Sequence, residues 1–128
     1  MNKISTIKEF EHVGEKVINW CVGEFGLSKY HDRDPWLDFE NDDLKMMGEF
    51  DMIENRITVY TNEVKNINDL IETIIHEYVH YLQRPSWYTR YTNMGYEDER
   101  NPYEMIAELI AIENRKRCKK EVLNERIN

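Results

Sequence analysis

The segment that most constrains the fold is Ile67–Gln83, which carries the strongest helical pattern in the chain. At 100° per residue its apolar side chains fall on one broad face, which is typical of an amphipathic helix. Pro85 follows closely and ends the pattern. The apolar face consists of Ile67, Leu70, Ile71, Ile74, Ile75, Tyr78, Tyr81 and Leu82.

A second helix is predicted near the amino terminus, from about Ser5 to Phe25. Its apolar residues recur at intervals of three to four positions. Thr6 followed by Glu9 is typical of a capping box at a helix start, and Gly26 is a natural stop. We expect this helix to serve as scaffold.

Two strands are predicted between these helices. Met46–Ile53 alternates weakly between apolar and polar residues, and Arg56–Thr61 alternates well. Glu54 and Asn55 supply turn residues between them, which predicts a β-hairpin. The polar segment Ser28–Asp43 is predicted to be a loop.

The remaining segments complete an α+β domain that spans residues 1–128. Arg84–Asn101 is rich in Tyr, Trp and Arg and is predicted to be a long loop, a kind of segment that is often functional. Pro102–Asn124 is predicted to be a helix, with Asn101 as its cap. The predicted order is N-terminal helix, small hairpin or sheet, central helix, long loop and C-terminal helix.

Composition restricts the classes of function. A length of 128 residues suits one domain, and 41% apolar with 33% charged residues is typical of a globular protein. The net charge of −8 argues against nucleic acid or an anionic membrane as partner. The basic cluster between Arg115 and Lys120 suits a solvated helix end. We expect a monomer.

The cysteines and the amino terminus indicate where the protein works. Cys21 and Cys118 match no metal or redox spacing, so two free thiols in a reducing compartment are expected. Charged residues interrupt the first segment, so no signal peptide is predicted, and no apolar run is long enough to cross a membrane. A cytoplasmic location is the expectation.

The motif His76-Glu77-Tyr78-Val79-His80 carries the chemistry. Residues four apart share a helix face, so both imidazoles can reach one metal ion. Glu77 projects to the side, where it can take a proton from water on that ion, so it is the predicted general base. Both histidines lie opposite the apolar stripe. The alternative interpretation is two solvent-exposed histidines on a polar face.

A third zinc ligand is predicted in the last helix. Catalytic zinc usually has three protein ligands and an open position. His12 lies in an unpromising context and His31 is expected to be a surface loop residue, so a carboxylate is expected instead. Glu104 and Glu108 lie four apart on a helix whose other residues near them are almost all apolar, which predicts a buried helix with a narrow polar wedge.

Of these two carboxylates, Glu104 is the predicted ligand. Glu108 would accept a hydrogen bond from a liganding imidazole. The reverse assignment is the main alternative, and Glu104 could also merely complete a capping box with Asn101. Two imidazoles and one carboxylate suit Zn²⁺.

The two motifs together resemble those of gluzincin-type zinc metallopeptidases. The resemblance rests on His76–His80 and Asn101–Glu108 and covers residues 44–112. The compact chain is also similar to the small minigluzincins and to small phage-encoded or microbial metallopeptidases. The resemblance implies a small sheet whose edge strand lines a peptide cleft, then the active-site helix, then a helix with the third ligand. The implied partner is therefore a peptide or protein substrate.

The expected reaction is hydrolysis of a peptide bond. Glu77 would accept the water proton and pass it to the leaving amine. A donor to the oxyanion is expected in the aromatic loop, where four residues are candidates and plain packing is an equal alternative. These are Tyr88, Arg90, Tyr91 and Tyr96, with Tyr91 at a distance from His80 that resembles that of the transition-state tyrosine in some gluzincins.

Two other functions stay open at this point. The domain could be a zinc-binding interaction module without peptidase activity, although the general base Glu77 argues against this. It could also be a latent enzyme whose segment Lys119–Asn128 covers the cleft.

Overall fold

The computed structural model describes residues 7–42, 45–96 and 100–124. Within them the protein is α+β, with a helix at each end, as predicted. The elements in chain order are α1 (Ile7–Phe25), β1 (Trp36–Glu40), β2 (Gly48–Asp51), β3 (Arg56–Tyr60), α2 (Ile67–Leu82), α3 (Pro85–Asn93) and α4 (Pro102–Asn124). Thr6 of the predicted capping box lies outside the described residues.

The strands form one small sheet in the order β1-β3-β2. β2 pairs with β3 in antiparallel fashion, which confirms the hairpin. Asn55 in the connecting turn has a φ of 53°, a left-handed conformation that asparagine tolerates better than most residues. β2 is therefore an edge strand of the described sheet.

β1 corrects the prediction of a loop over Ser28–Asp43. It pairs with β3 in parallel, with Leu37 opposite Ile57. A parallel partner comes from a distant part of the sequence, so local alternation in five residues could not reveal it. Trp36 at the start of β1 is 56% exposed, so this large apolar residue does not mark a buried strand position.

α3 corrects the prediction of a long loop after α2. Pro85 ends α2 and also occupies the start of α3, where its fixed φ and missing N–H suit a helix. α3 contains no buried residue, and so it has no apolar stripe from which a helix could be predicted.

α2 lies at the centre of the core. Its predicted apolar face is confirmed, with only Leu82 partly exposed. α1 and the sheet cover this helix from one side, and α4 packs along another. The residues that cover α2 include Val13, Val17 and Cys21 of α1, Ile57 and Val59 of β3, and Ala107, Ala111, Cys118 and Val122 of α4. Cys21 and Cys118 are both free thiols, as predicted.

α4 is less buried than its apolar sequence predicts. Ala107 and Ala111 are fully buried, while Met105, Ile106 and Leu109 are 45–58% exposed. Small residues let α4 approach α2 closely, so its larger apolar side chains are left on the outer face. The prediction of a helix buried on all sides but one is therefore wrong.

Buried tyrosines of α2 hold the segment between α1 and β1. The Tyr81 hydroxyl accepts a hydrogen bond from the Ser28 N–H at 3.1 Å and donates one to the Arg33 carbonyl at 2.8 Å. Tyr81 also stacks on His31, with ring centroids 5.3 Å apart. His31 is thus packed between aromatic rings, which corrects its prediction as a surface residue.

Replacing Tyr81 by Phe is expected to lower the free energy of unfolding by about 1–3 kcal/mol, because two backbone groups lose their partner. Urea denaturation measures this change. Tyr60→Phe is the matched control, since the Tyr60 hydroxyl donates to the exposed Glu49, which can turn to water. Equal losses in both variants would contradict the role assigned to Tyr81.

None of the helices in the described ranges combines the length and the apolar character that a membrane span requires.

Candidate metal centre and cleft

The junction between α2 and α4 brings together the predicted ligands. Asn66 caps α2 by accepting a hydrogen bond from the Asp69 N–H at 2.8 Å. At the other end of α2 the Gln83 side chain donates to the Tyr103 carbonyl at 2.9 Å, which fixes the start of α4. Asn101 caps α4 by accepting from the Tyr103 N–H at 2.9 Å. The first turn of α4 therefore faces the last turns of α2.

Glu104 lies directly against both histidines. Its Oε1 is 2.5 Å from His76 Nε2, and its Oε2 is 3.2 Å from His80 Nε2. One ligand atom from each of the three residues lies within 4.8 Å of the others. The Glu104 carboxylate thus faces the imidazoles, and the side chains of His76 and His80 are only 15% and 12% exposed. The alternative interpretation, in which both histidines are exposed to solvent, is therefore wrong.

The outer nitrogen of each imidazole also faces an oxygen. His80 Nδ1 is 2.7 Å from Gln83 Oε1, and His76 Nδ1 is 3.5 Å from Glu108 Oε2. An oxygen beside Nδ1 can accept a proton carried there, which is the arrangement of zinc sites where an acceptor holds the outer N–H. Nε2, which faces Glu104 in each ring, is the nitrogen that would bind a metal. Glu108 thus lies beside the imidazole from which it was predicted to accept a hydrogen bond, whereas Gln83 was not assigned a role from the sequence.

Charge at this junction favours a cation. Burial lowers the pKa of His76 and of His80, but the hydrogen bond to Glu104 and the nearby carboxylates raise each pKa by more. Burial raises the pKa of Glu104, yet hydrogen bonds from the two imidazoles hold that pKa well below its usual range. Glu104 is therefore an anion. Two imidazole nitrogens and this carboxylate fit the ligand chemistry of Zn²⁺.

Glu77 lies beside these three residues and is 8% exposed. It lines the same cleft, but it is not part of the group whose atoms lie within 4.8 Å of one another in the described chain. Burial raises the pKa of Glu77, and the neighbouring histidines offset part of that rise. Its position agrees with a carboxylate that faces the site from the side.

The site opens into a cleft of about 670 Å³. β2 forms one wall, α2 the floor, and α3 with the start of α4 the other wall. The Thr73 hydroxyl contacts Met47 Sδ at 3.7 Å, and farther along α2 the Tyr81 ring lies 6.1 Å from the Phe50 ring. β2 and α2 therefore run in the same direction along the cleft.

The outer edge of β2 presents backbone groups to the cleft. The Tyr60 N–H donates to the Met47 carbonyl at 2.8 Å, so Met47 and Tyr60 form a hydrogen-bonded pair. Such pairs alternate along antiparallel strands, so Gly48 and Phe50 point their N–H and C=O groups away from β3. Both residues line the cleft. An extended chain could add to this edge.

Gly48 permits the close approach of β2 to α2. A Cβ at this position would lie 2.7 Å from Thr73 Cγ2 and 2.8 Å from the Thr58 carbonyl oxygen. The second contact is with backbone, so the strand itself would have to shift. The sequence did not single out Gly48, because the contact depends on how the sheet packs on α2.

Gly48→Ala is expected to lower the free energy of unfolding by about 1–3 kcal/mol, as overpacking commonly does. Gly23→Ala is the control, because a Cβ at Gly23 meets nothing within 4 Å and lies within α1, where alanine is the better helix former. Chemical denaturation of both variants checks this. A Gly48→Ala protein as stable as Gly23→Ala would refute the close approach.

Tyr88 is the one of the four oxyanion candidates that lines the cleft. Its hydroxyl lies 3.3 Å from Glu104 Oε2, and its ring is 5.8 Å from that of His80. Tyr91 instead packs against other aromatic rings, and Arg90 lies over Trp87 at 4.5 Å. The partners of Tyr91 are Trp87, Tyr96 and Tyr103.

No model of a known family, no curated protein and no solved structure matches this chain. The likeness to gluzincins therefore rests on the two sequence motifs.

Proposed function

We propose that this protein is a zinc-dependent peptidase in which His76, His80 and Glu104 hold the ion and Glu77 is the general base. The observation that carries the proposal is the orientation of the two imidazoles. Each holds its outer nitrogen against an oxygen and directs Nε2 at the carboxylate of Glu104. This orientation supports a metal site more than a chance ion pair, because both rings are arranged in the same way.

The reaction would be hydrolysis of a peptide bond. Zinc, when bound by three side chains, keeps an open position, acidifies water and polarises a carbonyl. Glu77 would accept a proton from the attacking water and deliver it to the leaving amine. Tyr88, whose hydroxyl donates to Glu104 Oε2 at 3.3 Å, would be the donor to the oxyanion.

A peptide is the substrate that best suits the cleft. The backbone groups of Gly48 and Phe50 can pair with an extended chain, as in binding by strand addition. Such a chain would then run along the floor past Glu77 and the two histidines. No affinity for nucleic acid or membrane is proposed for this acidic chain, and a monomeric cytoplasmic enzyme suits its two buried thiols.

A non-catalytic zinc module is the weaker proposal. A structural zinc site is usually closed by a fourth side chain. In the part of the chain that the structure describes, the group around His76 and His80 contains only Glu104 as a third member. The buried Glu77 at its side has a use in hydrolysis and none in a structural site.

Elemental analysis followed by a peptide-library assay tests the proposal. We expect a single zinc ion per chain and cleavage that stops on chelation and returns with added zinc. A purified protein that takes up no zinc when it is supplied would overturn the proposed function.

A further inference from the structure

The two ends of the cleft carry opposite charge. Because α2 forms the floor, one end lies beside the first turns of this helix and the other lies just beyond its last turn. Asp69 and Glu72 line the first end, and Glu108 of α4 lies between that end and His76. Arg84 lines the opposite end.

The acidic end keeps an excess of negative charge. Glu72 accepts a hydrogen bond from Arg115 at 2.8 Å, so one of the three carboxylates is paired with a guanidinium. Asp69 is held by the neutral amide of Asn66 at 3.2 Å, and the Glu108 side chain is 57% exposed. A basic group of a ligand would therefore be attracted here.

Arg84 supplies a positive charge at the other end of the cleft. It is exposed, and among residues 7–42, 45–96 and 100–124 no carboxylate lies within ion-pair distance of it. Three other arginines of this acidic chain do have such partners, since Arg33, Arg115 and Arg117 each pair with a carboxylate. A cation at the mouth of a cleft whose other charged lining residues are carboxylates suits a carboxylate of the ligand.

Apart from Glu49, the β2 wall between these two ends is apolar. Met46, Met47 and Met52 flank β2 along the cleft, and each is 42–45% exposed. Methionine side chains adapt to differently shaped apolar groups. This wall suits a ligand with apolar residues between its charged ends.

We propose that the cleft binds extended peptides in a single direction, with a basic side chain beside Asp69 and Glu72 and a carboxylate beside Arg84. This inference rests on the proposed peptidase function. From Glu72 to Arg84 the floor spans about 18 Å at the helical rise, which an extended peptide covers with about five or six residues. Charge at the two ends, and not only the edge strand, then selects the substrate.

A pair of peptides with the same composition tests the direction. Each has blocked termini, apolar residues in the middle, and Lys and Glu about six positions apart, with Lys first in one and Glu first in the other. With zinc-loaded protein, kcat/KM is expected to differ between them by about fivefold or more, the scale of one partly exposed ion pair at each end. Equal values would overturn the inference.

Arg84→Glu is expected to remove this difference and to favour a peptide with Lys at both ends. Arg90→Glu is the matched control, because Arg90 lies on α3 over Trp87 and does not line the cleft. If the two variants behave alike, the role of Arg84 is refuted. In a third peptide a free carboxyl terminus replaces the Glu side chain. This peptide shows whether the cleft accepts a C-terminal carboxylate or a side-chain carboxylate beside Arg84.

A failure of the proposed function is distinguishable from a failure of this inference. If zinc-loaded wild type cleaves neither peptide, hydrolysis fails, and fluorescence anisotropy of the same labelled peptides then measures binding. A fivefold difference in Kd that Arg84→Glu removes would still establish the charged cleft. Equal Kd values would overturn it.

Discussion

Replacing Glu104 or His80 by alanine should reduce bound zinc from a single ion per chain to almost none. Each variant removes a ligand atom from a group in which one atom of each residue lies within 4.8 Å of the others. Loss of an outer partner alone commonly weakens zinc binding by about 10- to 100-fold, so loss of a ligand should weaken it by more than that. Elemental analysis after dialysis, with competition against a chelator, measures the change.

Glu108→Ala tests the alternative assignment of the third ligand, and Glu113→Ala is the control for this experiment. Glu108 faces the outer nitrogen of His76, so its loss should weaken zinc binding by about 10- to 100-fold. Glu113 is an exposed glutamate on the same helix, outside the residues that line the cleft, and its replacement should leave zinc binding unchanged. A stronger effect of Glu108→Ala than of Glu104→Ala would exchange the two roles. Circular dichroism confirms that each variant folds.

Glu77→Gln should keep zinc and lose most of the peptidase activity. The amide has the same shape as the carboxyl group but cannot accept the water proton, and general bases commonly contribute about 10²- to 10⁴-fold to rate. Glu77 lies outside the group of three that can hold the ion in the described chain, so metal content should not change. Steady-state kcat/KM on a cleaved library peptide, beside zinc content, measures both effects.

Either of two results would reject this role of Glu77. Full activity in a zinc-loaded Glu77→Gln protein would show that another group accepts the proton. Loss of zinc would make Glu77 a ligand. Glu113→Gln serves as the control for the substitution itself, since it makes the same chemical change on the exposed face of α4.

Local patterns predicted the elements that carry the chemistry. α2 was predicted because its apolar residues recur with the helical period, and the histidines could be placed on one face of it by spacing alone. The Glu104 position followed from the same period in α4. What the spacing could not show is that Gln83 faces the outer nitrogen of His80, since the Gln83 amide is also bonded to the Tyr103 carbonyl at the start of α4.

The two elements that were missed escaped prediction for different reasons. β1 is held by a parallel neighbour, and α3 has no buried face to give it a pattern. Because α3 was not predicted, no pattern favoured Tyr88 over Tyr91 as a site residue. Only this helix brings the Tyr88 ring to that of His80. The exposed side of α4 was mispredicted for a related reason. An apolar helix does not reveal which of its sides meets a neighbour.

The division of ligands between α2 and α4 has a consequence for the lifetime of the folded state. An ion held by His80 and Glu104 would act as a cross-link between two helices that are joined in the chain only through α3. Its binding free energy would add to folding stability, and separation of the helices would have to await its release. The supply of the metal would thus govern how long each molecule stays folded as well as whether it is active.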